Sequence, residues 1–322
     1  MGAQYALIVG VRPPFAATLS VMGKASRRKK INSVKAKQYR PPIPFVERPF
    51  EGIVGERELV AMKELIPCAT FNAKTNEKYG SVDFDIVTLL PDGAPSMVRA
   101  DGRVLVGLQT RFHSGDISHD LGGALLAAIA LQESGEDGVA AFDVRDPAPR
   151  LQDILDDAHL VKTAPKGAVA DMEITDDFSF WFDPNEERDD ATEQALAQNR
   201  EDMVPTEEVP GATGMYWCEM NNNFVRYVTD VDEDALFTAL ARLQVAGDST
   251  LGEGSKFVGA FRACGLAIPV YQVDASLTAE DLAKPGRRLE NALEEALKEK
   301  SPLTEDEKRA RRGLVSRQVT IR

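Results

Sequence analysis

The chain has 322 residues, about two average domains' worth of length. Apolar residues make up 43% and charged residues 28%, a globular balance with material for a sizeable core. That excludes a wholly disordered, collagenous or disulfide-stapled chain, and no stretch approaches the ~20 apolar residues of a membrane-spanning helix.

Charge is unevenly placed. The chain carries 38 basic and 51 acidic residues, net -13. No acidic residue precedes Glu47, whereas Arg12 and eight residues of an arm do: Lys24, Arg27, Arg28, Lys29, Lys30, Lys35, Lys37 and Arg40. From position 41 onward 29 basic residues face 51 acidic ones. A basic arm on an acidic body is drawn to polyanions through the arm and repelled from them by the body. Those eight cations are the candidate polyanion-binding residues, with RNA or the ribosome as the expected partner; no membrane partner is expected.

Cys68, Cys218 and Cys264 are far apart and lack CxxC spacing, which argues for a reducing, cytoplasmic setting. The apolar run at 5–11 has no basic region before it and runs into Arg12-Pro13-Pro14, a poor signal peptide. Met22-Gly23-Lys24 reads as a start, so residues 1–21 are expected to be a mis-assigned extension. The expected organisation is a disordered basic arm at 1–46, a first α+β half at 47–170, a second at 171–300, and a C-terminal helix with a basic tail at 301–322.

Along the chain, the pattern predicts a short helix at 55–65 stopped by Pro67. A strand follows at 82–90, with Phe84, Ile86 and Leu90 on one face. Asp101-Gly102 sets up a hairpin from Val98 into 104–109. Ile117, Leu121, Leu125, Ala128 and Ile129 recur at helical spacing behind Asp116 or Ser118 as a cap. Residues 143–170 read as loop with a short helix near 151–157, 172–182 as an aromatic strand, and 183–213 as an acidic boundary or insertion with a helix at 191–199.

The best hairpin is 214–229, turned at Asn221-Asn222-Asn223. A helix follows with Leu236, Phe237, Leu240 and Leu243 on its apolar face, Thr229 and Asp232 at capping-box spacing and Gly247 at its end. Strands are expected at 257–263 and 267–273. A helix from Thr278 is broken at Pro285-Gly286, Leu289, Leu293 and Leu297 line the next face, and a last helix opens at Thr304 with Glu307 three on. A hairpin followed by an Asp-capped helix thus occurs at 94–131 and at 214–246. Duplication is one reading of this, and the frequency of hairpin–helix units is the other.

No motif brings catalytic chemistry. His113 and His119, with Asp116 between them, lack a second ligand pair for a metal, and His159 has no partner in sequence. No GxSxG elbow is present, and neither Cys218 nor Cys264 has an identifiable base nearby. Gly252-Glu253-Gly254-Ser255-Lys256 departs from P-loop spacing and reads as a tight loop. The acidic groups at 83–85 and 176–190 read as solvated charge. No catalytic residue, cofactor or metal is expected.

Several strings together resemble an actinobacterial family of unknown function. They are Arg48-Pro49-Phe50-Glu51-Gly52, Gly55-Glu56 through Glu64-Leu65-Ile66-Pro67, Val106-Gly107-Leu108-Gln109 with Ser114-Gly115-Asp116, Tyr216-Trp217-Cys218-Glu219, LGEGSKFVGAFRACGLAIPVY at 251–271 and the terminal GLVSRQVTIR. The resemblance spans roughly 47–322. Members are sometimes labelled preprotein translocase SecA, a label tied to a small N-terminal SEC-C zinc knuckle in some of them. Here no cysteine precedes Cys68 and the basic arm stands in the knuckle's place, so zinc ligands do not carry over. The resemblance implies a cytoplasmic, uncharacterised protein and brings no catalytic residues.

The expected fold is α+β, antiparallel sheets covered by helices, in two similar hairpin–helix halves. The expected function is a non-catalytic interaction or adaptor protein whose arm contacts RNA, ribosome or an acidic partner. The alternative is an enzyme with a site assembled from dispersed residues, around Trp217, Glu219 and Arg226.

Overall fold

A computed structural model describes residues 41–164 and 167–320. The chain opens on a strap held against the body: Val46 N donates to the Gly115 carbonyl at 2.8 Å, and the Pro49 carbonyl accepts from Arg150 and Gln152 at 2.9 and 2.7 Å. The helix expected at 55–65 is α1 (Glu56–Glu64). Leu59, Val60, Ala61 and Met62 are all wholly buried. Four successive residues point to all sides of a helix, so α1 must be enclosed all round. One apolar cluster joins these residues to Phe71, Phe84 and Ile86 on one side and to Tyr216, Phe261 and Ile268 on the other.

The first sheet collects β1 (Ala69–Lys74), β2 (Asp83–Val87), β3 (Ser96–Val98), β4 (Val104–Gly107) and β5 (Gly138–Ala140). Its main cover is α2 (Ile117–Glu133), capped as expected by Asp116, which accepts from Ser118 N at 3.0 Å. Next come the short α3 (Leu151–Ile154) and a hairpin of β6 (Val161–Ala164) and β7 (Gly167–Ala170), where the sequence reads as loop. The predicted aromatic strand at 172–182 is strand only over β8 (Met172–Ile174), which returns to pair with β1. Beyond it Phe178 stacks on Trp181 with ring centroids 4.5 Å apart, and Trp181 Nε1 donates to the Leu89 carbonyl at 2.8 Å. The aromatic residues cover one sheet face as a cluster instead of alternating, which composition alone does not distinguish from a strand. The helix expected at 191–199 is α4 (Asp190–Asp202), resting Leu196 on Cys68 and Phe178.

The second sheet contains β9 (Thr206–Glu208), β10 (Met215–Cys218), β11 (Asn223–Tyr227), β12 (Lys256–Ala263), β13 (Leu266–Val273) and β14 (Gln318–Thr320). Between them lie α5 (Glu233–Ala246), α6 (Ala283–Lys298) and α7 (Glu305–Val315). The 214–229 hairpin forms with Trp217 opposite Val225 and Tyr216 opposite Arg226. Met215, Trp217, Val225 and Tyr227 face α5 to α7, meeting Leu236, Phe237, Leu240, Leu289 and Leu314. Asp232 alone caps α5, accepting from Ala235 N at 3.0 Å, and Thr304 with Glu307 forms the expected capping box of α7. Pro285-Gly286 does not break a helix: it lies in the first turn of α6, where the missing N–H of proline has no partner to lose.

The strand orders are β5-β3-β4-β2-β1-β8 and β14-β12-β13-β11-β10-β9. These are the same arrangement in space, with β8 and β9 as adjoining edges. The strand directions differ. β2 runs parallel to β4, whereas β11 runs antiparallel to β13. In the second sheet α5 intervenes before the inner hairpin, which therefore enters reversed. The halves are both α+β and share an order without being copies. Among the described residues no helix is long and apolar enough to cross a membrane.

Candidate functional site

Lys24, Arg27, Arg28, Lys29, Lys30, Lys35, Lys37 and Arg40, the candidate polyanion-binding set, lie outside the described residues. Their point of attachment to the body is described. Residues 41–50 run past the N-terminus of α2, where the Ile43 and Pro44 backbone leaves no room for a side chain at Gly115. Two aromatic side chains stand out here, Phe45 at 80% and Phe112 at 78% exposure. Thr110 Oγ1 donates to the Phe112 carbonyl at 3.0 Å and fixes that turn. Ser114 N donates to Asp120 Oδ2 at 2.6 Å. Arg111 lies alongside, largely exposed and paired with the exposed Asp92 at 3.3 Å.

Beneath this loop is a cavity of about 30 Å³, lined by Lys63, Leu108, His113, Asp120 and Phe142 among others. That is room for a water and not for a substrate. A shallow groove of about 300 Å³ runs along α5 and α7 past Val245, Gly313 and Arg317.

His119 and His159 serve the fold, while His113 is exposed. The His119 ring lies between Asp120 Oδ1 and the Asp146 carbonyl, each at 3.0 Å, and His159 meets Asp156 at 2.9 Å. Among the described residues no three His, Cys, Asp or Glu groups converge as metal ligands. All three cysteines are free. Burial pushes the thiols of Cys68 and Cys264 up to about 12 and raises that of Cys218, the opposite of an activated nucleophile. The 252–256 loop is a turn closed by Ser255 Oγ donating to the Gly252 carbonyl at 2.8 Å.

Trp217, Glu219 and Arg226 do not come together. Trp217 faces α5 to α7 and donates Nε1 to the Leu277 carbonyl at 3.0 Å. Glu219 is exposed past the end of β10. Arg226 lies on the opposite sheet face from Trp217, buried at 7% exposure, with Nη2 reaching Thr206 Oγ1 at 3.4 Å. Sequence reasoning did not single out Thr206, Phe45 or Phe112. The one local signal was Arg226 itself, a charged residue at an inward position of FVRYVT.

No curated protein and no solved structure matches this chain. A family model described as "Family of unknown function (DUF5926)" matches residues 49–322. The match begins where the strap locks onto the body, and the chain belongs to this family of unknown function.

Proposed function

We propose that this chain is a non-catalytic, cytoplasmic interaction protein that holds RNA through its N-terminal arm. The observation that carries the reading is the separation of charge. Eight cations fall between positions 24 and 40 without one acid, and the residues from 41 onward are strongly acidic. A polyanion is collected by the arm and turned away by the body. Phe45 and Phe112, exposed where the arm meets the body, supply flat apolar faces of the kind on which unpaired bases stack.

The test is a filter-binding titration of single-stranded RNA at two salt concentrations, with the full chain and with a chain lacking 22–40. The full chain should retain RNA with an affinity that falls steeply with salt and depends little on sequence. The truncated chain should not retain it, at an unchanged thermal midpoint. Equal retention by both chains, or none by either at low salt, overturns the reading.

A further inference from the structure

Arg226 is a buried cation without a counter-ion among the described residues. It lies on β11 opposite Tyr216 of β10 and Val270 of β13, facing the first sheet. Its side chain crosses β10 to Thr206 on β9. Thr206 Oγ1 already donates to the Val204 carbonyl at 3.1 Å, so it can only accept from the guanidinium. Nε is buried and has no hydrogen-bond partner. Other arginines of the body are matched: Arg48 by Glu56, Arg103 by Asp85, Arg262 by Glu233. No carboxylate of the described residues pairs with Arg226. A buried charge is retained when something neutralises it, and a planar guanidinium fork is matched best by a carboxylate or phosphate.

We propose that Arg226 is the anchor of a binding site for a small carboxylic acid, held on the inner face of the second sheet beside Thr206 and Cys218. A single cation balances a single anionic charge. A phosphoryl dianion would leave a net negative charge in the interior of an already acidic body. Thr206 is on the edge strand β9 and Arg226 on β11, so the guanidinium lies against the last strands of the sheet, where β9 adjoins β8 of the first sheet. Half-buried Phe224 and Val270 neighbour Arg226 on this face and suit a short apolar tail behind the carboxylate.

The test is thermal unfolding of the full chain at pH 7 in sodium acetate, butyrate or phosphate, against sodium chloride at equal ionic strength. The midpoint should rise saturably with acetate or butyrate, by about 4–5 °C at a hundredfold excess over the dissociation constant. Arg226→Met should show no rise, with a midpoint in chloride at or above that of the parent chain, since methionine removes the uncompensated charge. If Arg226→Met does not fold, Arg226→Lys keeps the charge without the fork and should bind at least tenfold more weakly. A flat response of the parent chain to both carboxylates, an undiminished response in either variant, or a larger response to phosphate than to both carboxylates overturns the proposal.

Discussion

Arg48 closes on Glu56 with two parallel hydrogen bonds, Nε to Oε1 at 2.6 Å and Nη2 to Oε2 at 2.8 Å. The pair ties the strap to the first turn of α1, the helix enclosed between the two sheets. Glu56 is buried at 7% exposure while the Arg48 side chain is 29% exposed. Arg48→Met leaves the carboxylate buried and unpaired and should cost about 1–3 kcal/mol in a denaturant titration. The double change Arg48→Met with Glu56→Gln should recover part of that loss. Equal midpoints for the parent and Arg48→Met chains would show that the pair only decorates the surface.

Gly122 and Gly123 stand in the middle of α2, where alanine ordinarily stabilises a helix by ~1 kcal/mol. Here a Cβ at Gly122 would strike the Pro149 carbonyl oxygen, and one at Gly123 would enter the Phe142 ring. Gly123→Ala is therefore expected to destabilise by ~1–3 kcal/mol despite its better propensity. Adding Phe142→Ala should restore much of the helix gain, because it removes the obstructing ring. Thermal unfolding of the single and double variants gives the comparison.

Leu240 is at 1% exposure on α5, in the cluster with Trp217. Leu240→Ala should cost ~2–5 kcal/mol, read as a lower denaturant midpoint with the slope unchanged. An unmoved midpoint would mean that α5 does not pack on the second sheet.

The thiols give a test of pH dependence. Burial raises Cys68 and Cys264 to about 12 from an ordinary value of 9.0. A group whose value is raised on folding lends its stability in full below the unfolded value and loses it as pH climbs through the folded one. Stability should therefore decline between about pH 9 and pH 12, and less so when both cysteines are replaced by alanine. At pH 8 a disulfide reagent should label the buried Cys68 and Cys218 of the native chain slowly and the guanidinium-unfolded chain at all three positions. Rapid native labelling of Cys68 or Cys218 would contradict the burial.

Phe45 and Phe112 separate stacking from charge in the proposed RNA contact. Replacing both with alanine should weaken single-stranded RNA binding about tenfold or more, from ~1–3 kcal/mol per stacked base. The salt dependence should stay as it is, because no cation is removed. A filter-binding titration at two salt concentrations reads both quantities.

Local chemistry alone determined the α+β class, the hairpin at 214–229, the capping box at Thr304 and the break in charge at position 41. Each rests on residues a few positions apart, whose alternation, helical period or capping spacing is written in the sequence. Local chemistry left the cap of α2 open between Asp116 and Ser118 and placed Asp232 in a capping box with Thr229 that does not form. Tertiary structure decided the remainder. Strands β5 and β8 have three residues each and exist because a distant partner supplies their hydrogen bonds; β8 reaches back to β1 across a hundred residues of chain. The enclosure of α1, the reversal of the inner hairpin between the two sheets and the gathering of Phe178 with Trp181 depend on packing between segments that no local pattern links. So does the environment of Arg226. Its position on one face of β11 follows from strand alternation, but the loss of water around it and the absence of an opposing carboxylate arise only when the second sheet closes on α1 and the first.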